Sequence, residues 1–184
     1  MPDAASLSQD DLEILVSREL RKAGLVLPRL RVRRRTPLEA AEGRWVLLLE
    51  GALRADGGDA PLLAECHSRL APVDAAHARA FLAAARETAG TRALLVSTSG
   101  FAGGVAALAA SEGIALLAVA DGQSAWQGTP WGSGRPPAWF PEFVAQLVVP
   151  GEAGLARTEL LQAGMGDAIL ARMRPQARGD EGRA

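Results

Sequence analysis

The hydrophobic and polar positions of the chain follow two periods, which together predict alternating helices and strands. Apolar residues recur every three to four positions over residues 8–23, which is typical of an amphipathic helix. Residues 25–35 alternate apolar and basic side chains, which indicates a half-buried strand. Two further strands are predicted over residues 44–54 and 61–69, so the first third of the chain predicts one helix and a three-stranded meander.

The second half predicts a strand–helix–strand unit and a helical end. Two short apolar strands are separated by a helix, and strands that are apolar on both faces are typical of a parallel crossover. A Gly- and Pro-rich stretch without periodicity follows and predicts a loop. The elements predicted here are helices over residues 73–89, 101–112, 138–149 and 154–173, and strands over residues 92–98 and 114–120.

This order predicts an α/β fold in which an antiparallel meander and a βαβ crossover form one mixed sheet flanked by helices, with a C-terminal helical extension. The chain has 184 residues, 48% of them hydrophobic, enough for one buried core. We expect a sheet domain at 1–120, a Gly-, Pro- and Trp-rich loop at 121–137, helices packed on the same domain at 138–176, and a flexible tail at 177–184.

Composition narrows the function classes. The net charge is −1, so the whole chain has no bulk attraction to nucleic acid or membranes. The single cysteine, Cys66, excludes a disulfide framework and a Cys-rich zinc site. The sequence has no long apolar run and no basic, apolar leader, so we expect a cytoplasmic protein with no membrane partner. Lysine occurs only at Lys22, so any catalytic lysine must be that residue.

An acidic pair is the main chemical candidate. A tight turn centred on Gly57 and Gly58 would place Glu50 directly across from Glu65, with Cβ atoms about 5 Å apart. His67, two residues further along the strand, would point to the same face.

Neighbouring carboxylates repel each other unless a cation neutralises them. With the Cys66 carbonyl, Glu50 and Glu65 would offer oxygen ligands for Mg²⁺ or Mn²⁺, which can polarise a phosphate and activate a water. The alternative is that both glutamates are solvent-facing residues of an exposed sheet.

Five arginines crowd the first predicted strand. They can follow a phosphate backbone, or they can keep an edge strand soluble through charge. These candidate nucleic-acid contacts are Arg29, Arg31, Arg33, Arg34 and Arg35.

The order of short motifs points to a family. One strand ends in Glu65-Cys66-His67, the next ends in Thr98-Ser99 before a helix, and the last follows a Gly-Ile pair. Over about residues 8–120 this order resembles the catalytic domain of Mrr-type restriction endonucleases, within the PD-(D/E)xK nuclease group. The resemblance implies a restriction-endonuclease-like fold and Mg²⁺-dependent cleavage of double-stranded DNA, for which such nucleases often dimerise.

The resemblance also assigns roles to residues. Glu65 matches the second acid of the family motif, and Glu50 best matches the first, which is usually aspartate. Asp56 and Asp59 are runners-up that fall in the turn. His67 stands where the family has lysine, so the expected catalytic set is Glu50, Glu65 and His67.

An aromatic cluster in and just after the loop raises a third possibility, a protein partner. It contains Trp126, Trp131, Trp139 and Phe140. Three hypotheses therefore remain open: a metal-dependent endonuclease, a non-cutting relative that binds DNA or protein, and a scaffold that binds a partner through this loop.

Overall fold

The protein folds around one seven-stranded sheet with helices on both faces. The structure is a computed structural model that describes residues 3–130, 132–152 and 155–178. The strands lie side by side in chain order. The helices are α1 (Gln9–Lys22), α2 (Ala75–Ala85), α3 (Val105–Glu112), α4 (Gly122–Gln127) and α5 (Gly166–Leu170); the strands are β1 (Arg29–Pro37), β2 (Gly43–Ala55), β3 (Gly58–Arg69), β4 (Arg92–Ser97), β5 (Ile114–Asp121), β6 (Phe143–Pro150) and β7 (Ala156–Leu160).

The strand directions confirm the predicted α/β fold with a mixed sheet. β1, β2 and β3 form an antiparallel meander. β3, β4 and β5 run parallel, with α2 and α3 as the crossover helices. β6 and β7 then add two antiparallel strands at the far edge.

The sheet separates two hydrophobic cores because neighbouring residues of a strand point to opposite faces. On one face, Leu47, Leu49 and Cys66 pack with α1 and α5. On the other face, Leu48 and Leu63 pack with α2 and α3. Interior strands are buried on both faces, which explains their almost continuous apolar sequences.

Helix α1 begins where the sequence predicts. The Ser8 hydroxyl accepts a hydrogen bond from the Asp11 backbone N–H at 3.1 Å and so caps the first turn. The buried Glu19 on this helix is bound by Lys22 at 2.5 Å and by the backbone N–H of Ala145 in β6 at 3.4 Å. The contact with Ala145 links α1 to β6, the strand next to the far edge of the sheet.

The predicted C-terminal helical extension is wrong. Residues 138–149 were expected to form a helix, but Phe143–Pro150 is strand β6, buried between β5 and β7. A strand buried on both faces has a continuous apolar sequence, and periodicity alone does not separate it from a buried helix. The Val-rich composition of this segment was the available signal for a strand.

The rest of the C-terminal half also differs from the prediction. The helix expected over residues 154–173 is replaced by β7 and the short α5. The loop expected over residues 121–137 begins with α4, which Asp121 caps by accepting from the Ser124 backbone N–H at 2.9 Å. The tail prediction falls mostly on residues 179–184, which lie outside the described residues.

The turn between β2 and β3 lies one residue earlier than the sequence pattern suggested. Asp56 and Gly57 are its two central residues, with φ values of 53° and 81°, which is the geometry of a type I′ turn. Ala55 and Gly58 are the first pair of the ladder. The expected centre on Gly57 and Gly58 is therefore wrong, because Asp56 itself adopts the left-handed conformation.

This turn predicts different costs for substitutions at two adjacent glycines. Gly57→Ala should destabilise the protein by about 1 kcal/mol, because an alanine at positive φ brings its Cβ against the backbone. Gly58→Ala is the matched control, since Gly58 is a strand residue outside the left-handed region with open space for a Cβ. Urea unfolding of both variants measures the difference, and equal losses would contradict the turn position.

Candidate functional site

The two glutamates of the expected metal site share a face of the sheet but do not lie opposite each other. Glu50 of β2 lies across from Leu63, and Glu65 of β3 lies across from Leu48. The observed register is shifted by two residues from the expected one, so the shared face is kept and the direct pairing is lost. The expectation of two directly opposed carboxylates is therefore wrong.

Glu50 is bound by two arginines of β1. Its Oε1 accepts from Nε of Arg31 at 2.9 Å and from an amino group of Arg31 at 2.5 Å. Its Oε2 lies 3.5 Å from Nε of Arg33. Both carboxylate oxygens therefore have cationic partners within the chain.

Glu65 has His67 as its partner on the same strand and face. Because a carboxylate only accepts hydrogen bonds, Nε2 of His67 donates to Oε1 of Glu65, at 2.7 Å. His67 is 2% exposed, and its Nδ1 has no hydrogen-bond partner within the described residues. The contact confirms that His67 and Glu65 share a face, while a role for His67 in place of a lysine stays a prediction.

A second histidine lies beside this pair. The ring of His77 is perpendicular to that of His67, with centroids 6.0 Å apart. Nε2 of His77 accepts from Arg69 at 2.8 Å, and Nδ1 donates to Asp74 at 2.8 Å. Hydrogen bonds from the backbone N–H and the ring of His77 lower the pKa of Asp74 to about 2.

Cys66 and Lys22 lie away from this face. The Cys66 side chain is buried in the core under α1, and burial raises the pKa of its thiol, with a further contribution from the nearby Glu65 charge. β3 is an interior strand, so the Cys66 carbonyl belongs to the backbone ladder. The only lysine, Lys22, is engaged with Glu19 on α1.

The two runner-up acids are also paired with arginines. Asp56 contacts Arg92 at 2.5 Å, and Asp59 contacts Arg54 at 2.9 Å. Arg92 also donates to the carbonyl of Met173 at 2.5 Å, so it fastens the β2–β3 turn to the C-terminal segment. These contacts give both aspartates structural roles.

The residues present do not fit the expected Mg²⁺ or Mn²⁺ site. Mg²⁺ requires near-octahedral oxygen coordination, usually through carboxylates that have no competing cation. Here Arg31 and Arg33 bind Glu50, and His67 binds Glu65. The Cys66 carbonyl takes part in the backbone hydrogen bonds of the sheet, so all three expected ligands already have partners. Across the described ranges, no group of three or more His, Cys, Asp or Glu side chains is placed to hold a metal ion.

Strand β1 presents four of its five arginines on the face of Glu50. Arg29 and Arg31 lie on that face by their register with β2. A β-bulge at Arg33 shifts the alternation by one residue and brings Arg34 to the same face. We call Arg29, Arg31, Arg33 and Arg34 the arginine face. It is strongly basic because β1 is an exposed edge strand and only one carboxylate of the described residues, that of Glu50, contacts these arginines.

Arg35 is separated from the other four. It lies on the opposite face of the sheet, where it contacts Asp10 of α1 at 2.7 Å and Glu13 at 3.7 Å. Both acids belong to the first turns of α1. Arg35 therefore fastens the helix to the edge strand.

A cleft of about 800 Å³ lies beside the arginine face. Arg29, Arg31 and Arg33 line it from β1, while Glu87 and Thr88 line it from the turn after α2. Sequence reasoning missed the cleft because only the folded sheet brings the end of α2 next to β1. The one local signal was the polar end of an otherwise alanine-rich helix.

The loop aromatics form a compact cluster elsewhere. Trp126, Trp139 and Phe140 pack edge to face, with ring centroids 5.2 to 6.3 Å apart. Trp139 is 75% exposed. Trp131 lies outside the described residues, and a protein partner at this loop stays a prediction.

Comparison with known proteins gave no match to a family model, to a curated protein or to a solved structure. In the part of the chain that the structure describes, no helix is long and apolar enough to cross a membrane. The positions and contacts of the side chains are therefore the basis for assigning a function.

The lowered pKa of Asp74 predicts a pH-dependent contribution to stability. The folded carboxyl titrates at about 2 and an unperturbed one near 3.8, so the contribution is present above the higher value and is lost as the pH falls through the lower one. Asp74→Asn keeps a capping side chain but cannot titrate. Urea unfolding should show the stability difference between wild type and Asp74→Asn shrinking as the pH drops from 5 to 2, over the window that the two pKa values define. A difference that does not change with pH would contradict the assignment.

Proposed function

We propose that this protein is a DNA-binding domain that contacts the phosphate backbone through its arginine face and does not cleave it. The observation that carries the proposal is the set of four guanidiniums on one face of the exposed edge strand β1, of which Arg31 and Arg33 share a single carboxylate, Glu50 of β2. Phosphate contacts by arginine supply most of the affinity of proteins for DNA irrespective of its sequence.

The order of the elements supports a restriction-endonuclease-like fold as the frame for this activity. β2 carries Glu50, β3 carries Glu65, and α2 leads from β3 to β4. β4 ends before the Thr98-Ser99 pair, and β5 starts after Gly113. This is the order that the resemblance to Mrr-type nucleases implied.

The charge distribution favours phosphate binding at this edge. The whole chain has a net charge of −1, so the basic patch is a local feature rather than a consequence of composition. The Arg31 side chain is 79% exposed, and only two of the five N–H donors of its guanidinium are used by Glu50. The remaining donors can bind phosphate oxygens while Glu50 holds the guanidinium in place.

Binding without cleavage is favoured because both acids are already engaged. A metal at Glu50 would have to displace Arg31 and Arg33, and a metal at Glu65 would have to displace His67. Arginine beside a carboxylate also repels a divalent cation. The side chains that suggest a nuclease in the sequence are therefore already paired within the fold, which favours binding over cleavage.

Arg31→Ala should weaken binding to a DNA duplex about five- to tenfold at low salt, and by the same factor for unrelated sequences, because a phosphate contact carries no base information. The substitution removes one phosphate-binding cation and leaves the negative charge of Glu50 neutralised, among the described residues, by Arg33 alone. Fluorescence anisotropy with labelled duplexes measures the change.

The matched control is Arg157→Ala, on the opposite edge strand. Arg157 is also an exposed arginine paired with a glutamate, Glu159, at 2.6 Å. Its loss should leave DNA affinity unchanged. Equal effects of the two substitutions would contradict a binding surface on β1.

Glu50→Gln should strengthen DNA binding by about threefold or more, because it removes the negative charge that competes with phosphate for Arg31 and Arg33. Glu159→Gln is the control, since it neutralises a comparable ion pair far from the arginine face. The same anisotropy assay compares the two variants.

The nuclease hypothesis predicts the reverse. If Glu50 were a metal ligand, Glu50→Gln would lose metal binding and gain no affinity. Plasmid cleavage by the wild type in Mg²⁺ or Mn²⁺ that disappears in Glu50→Gln would overturn the proposal.

A further inference from the structure

The cleft beside the arginine face has two walls of opposite chemistry. Arg29, Arg31 and Arg33 of β1 form a cationic wall, in which Glu50 of β2 pairs with Arg31 and Arg33. Glu87 and Thr88, after α2, contribute a carboxylate and a hydroxyl. A ligand that matches both walls has an anionic group for the arginines at one end. At its other end it has a hydrogen-bond donor for the carboxylate of Glu87.

The cleft also has an apolar part. Ala52 of β2 and Pro61 and Leu63 of β3 line it between the two walls. These side chains offer no hydrogen bonds, so they suit a flat or apolar group such as a nucleobase or the carbon face of a sugar.

The volume indicates how large that ligand is. At about 800 Å³, the cleft lies within the range of small-molecule sites and is larger than a lone phosphate requires. A DNA duplex is much larger than this volume, so it can contact the rim of the cleft but not enter it. One nucleotide unit has the right size and the right sequence of groups.

We infer that this cleft binds a single nucleoside monophosphate unit, with its phosphate on the arginine wall and a sugar hydroxyl donating to Glu87. The unit is either a free mononucleotide or the terminal nucleotide of a DNA strand, which share this chemistry. The inference deepens the proposed function and rests on it where the ligand is a strand end.

The test uses the full chain with dAMP, with deoxyadenosine, and with a closed circular DNA that has no strand ends. Calorimetry should detect dAMP binding that is at least about tenfold tighter than that of deoxyadenosine, because only dAMP carries the phosphate. Ala52→Phe fills the apolar part without changing charge and should weaken dAMP binding about tenfold, while leaving the affinity for circular DNA within about twofold.

A second variant covers the case in which Ala52→Phe fails to fold. Glu87 is exposed, so Glu87→Gln is expected to fold normally. It should weaken dAMP binding several-fold without affecting circular DNA.

The outcomes separate the two proposals. Circular DNA that binds while dAMP does not would overturn the cleft assignment and leave the proposed function standing. Binding of dAMP without binding of DNA would support the cleft and overturn the proposed function. Binding of dAMP that is unaffected by either cleft variant would place the phosphate on the arginines outside the cleft and overturn the assignment.

If dAMP binds, one more comparison decides whether the ligand is a free mononucleotide or the terminal nucleotide of a strand. A linear strand that binds more tightly than the circle, and is displaced by dAMP, would identify the strand end as the ligand. Equal binding of linear and circular DNA would identify the free mononucleotide.

Discussion

The β2–β3 turn is the constraint that separates Glu50 from Glu65 and leaves Glu50 to pair with the arginine face. Two central residues at positive φ, Asp56 and Gly57, set the register of the meander, and that register places Glu50 opposite Leu63 instead of Glu65. A carboxylate without an acidic neighbour needs no metal to neutralise it. Glu50 is instead neutralised by the adjacent edge strand, through Arg31 and Arg33.

The same carboxylate organises the basic surface. Four like charges on one strand face repel each other, and a partly buried carboxylate in their midst lowers that cost and fixes one guanidinium. The bulge at Arg33 decides which arginines belong to the set: it brings Arg34 to this face and turns Arg35 toward α1, and a regular strand would exchange the two. Binding chemistry and strand geometry are therefore set by the same few residues of β1 and β2.

The sequence predicted the elements of the first two thirds of the chain because their hydrophobic periods were clear, as in α1 and the meander. It failed at β6, where a run buried on both faces has no strand period. It also failed at the turn, where the Gly57-Gly58 pair is the stronger sequence signal but Asp56 and Gly57 take the central positions. The face shared by Glu65 and His67 was predictable from alternation, and Glu50 shares it because the observed register differs from the expected one by an even number of residues. Their actual partners were not, since the arginines, His77 and the cleft residues after α2 reach the site only through the folded sheet.

The salt dependence of DNA affinity tests the central claim most directly, because each phosphate bound by an arginine releases condensed counterions. With four guanidiniums and one compensating carboxylate, the logarithm of the association constant should fall against the logarithm of salt concentration with a slope of about −3. A slope near zero, or the absence of measurable DNA binding at low salt, would contradict a phosphate-binding arginine face.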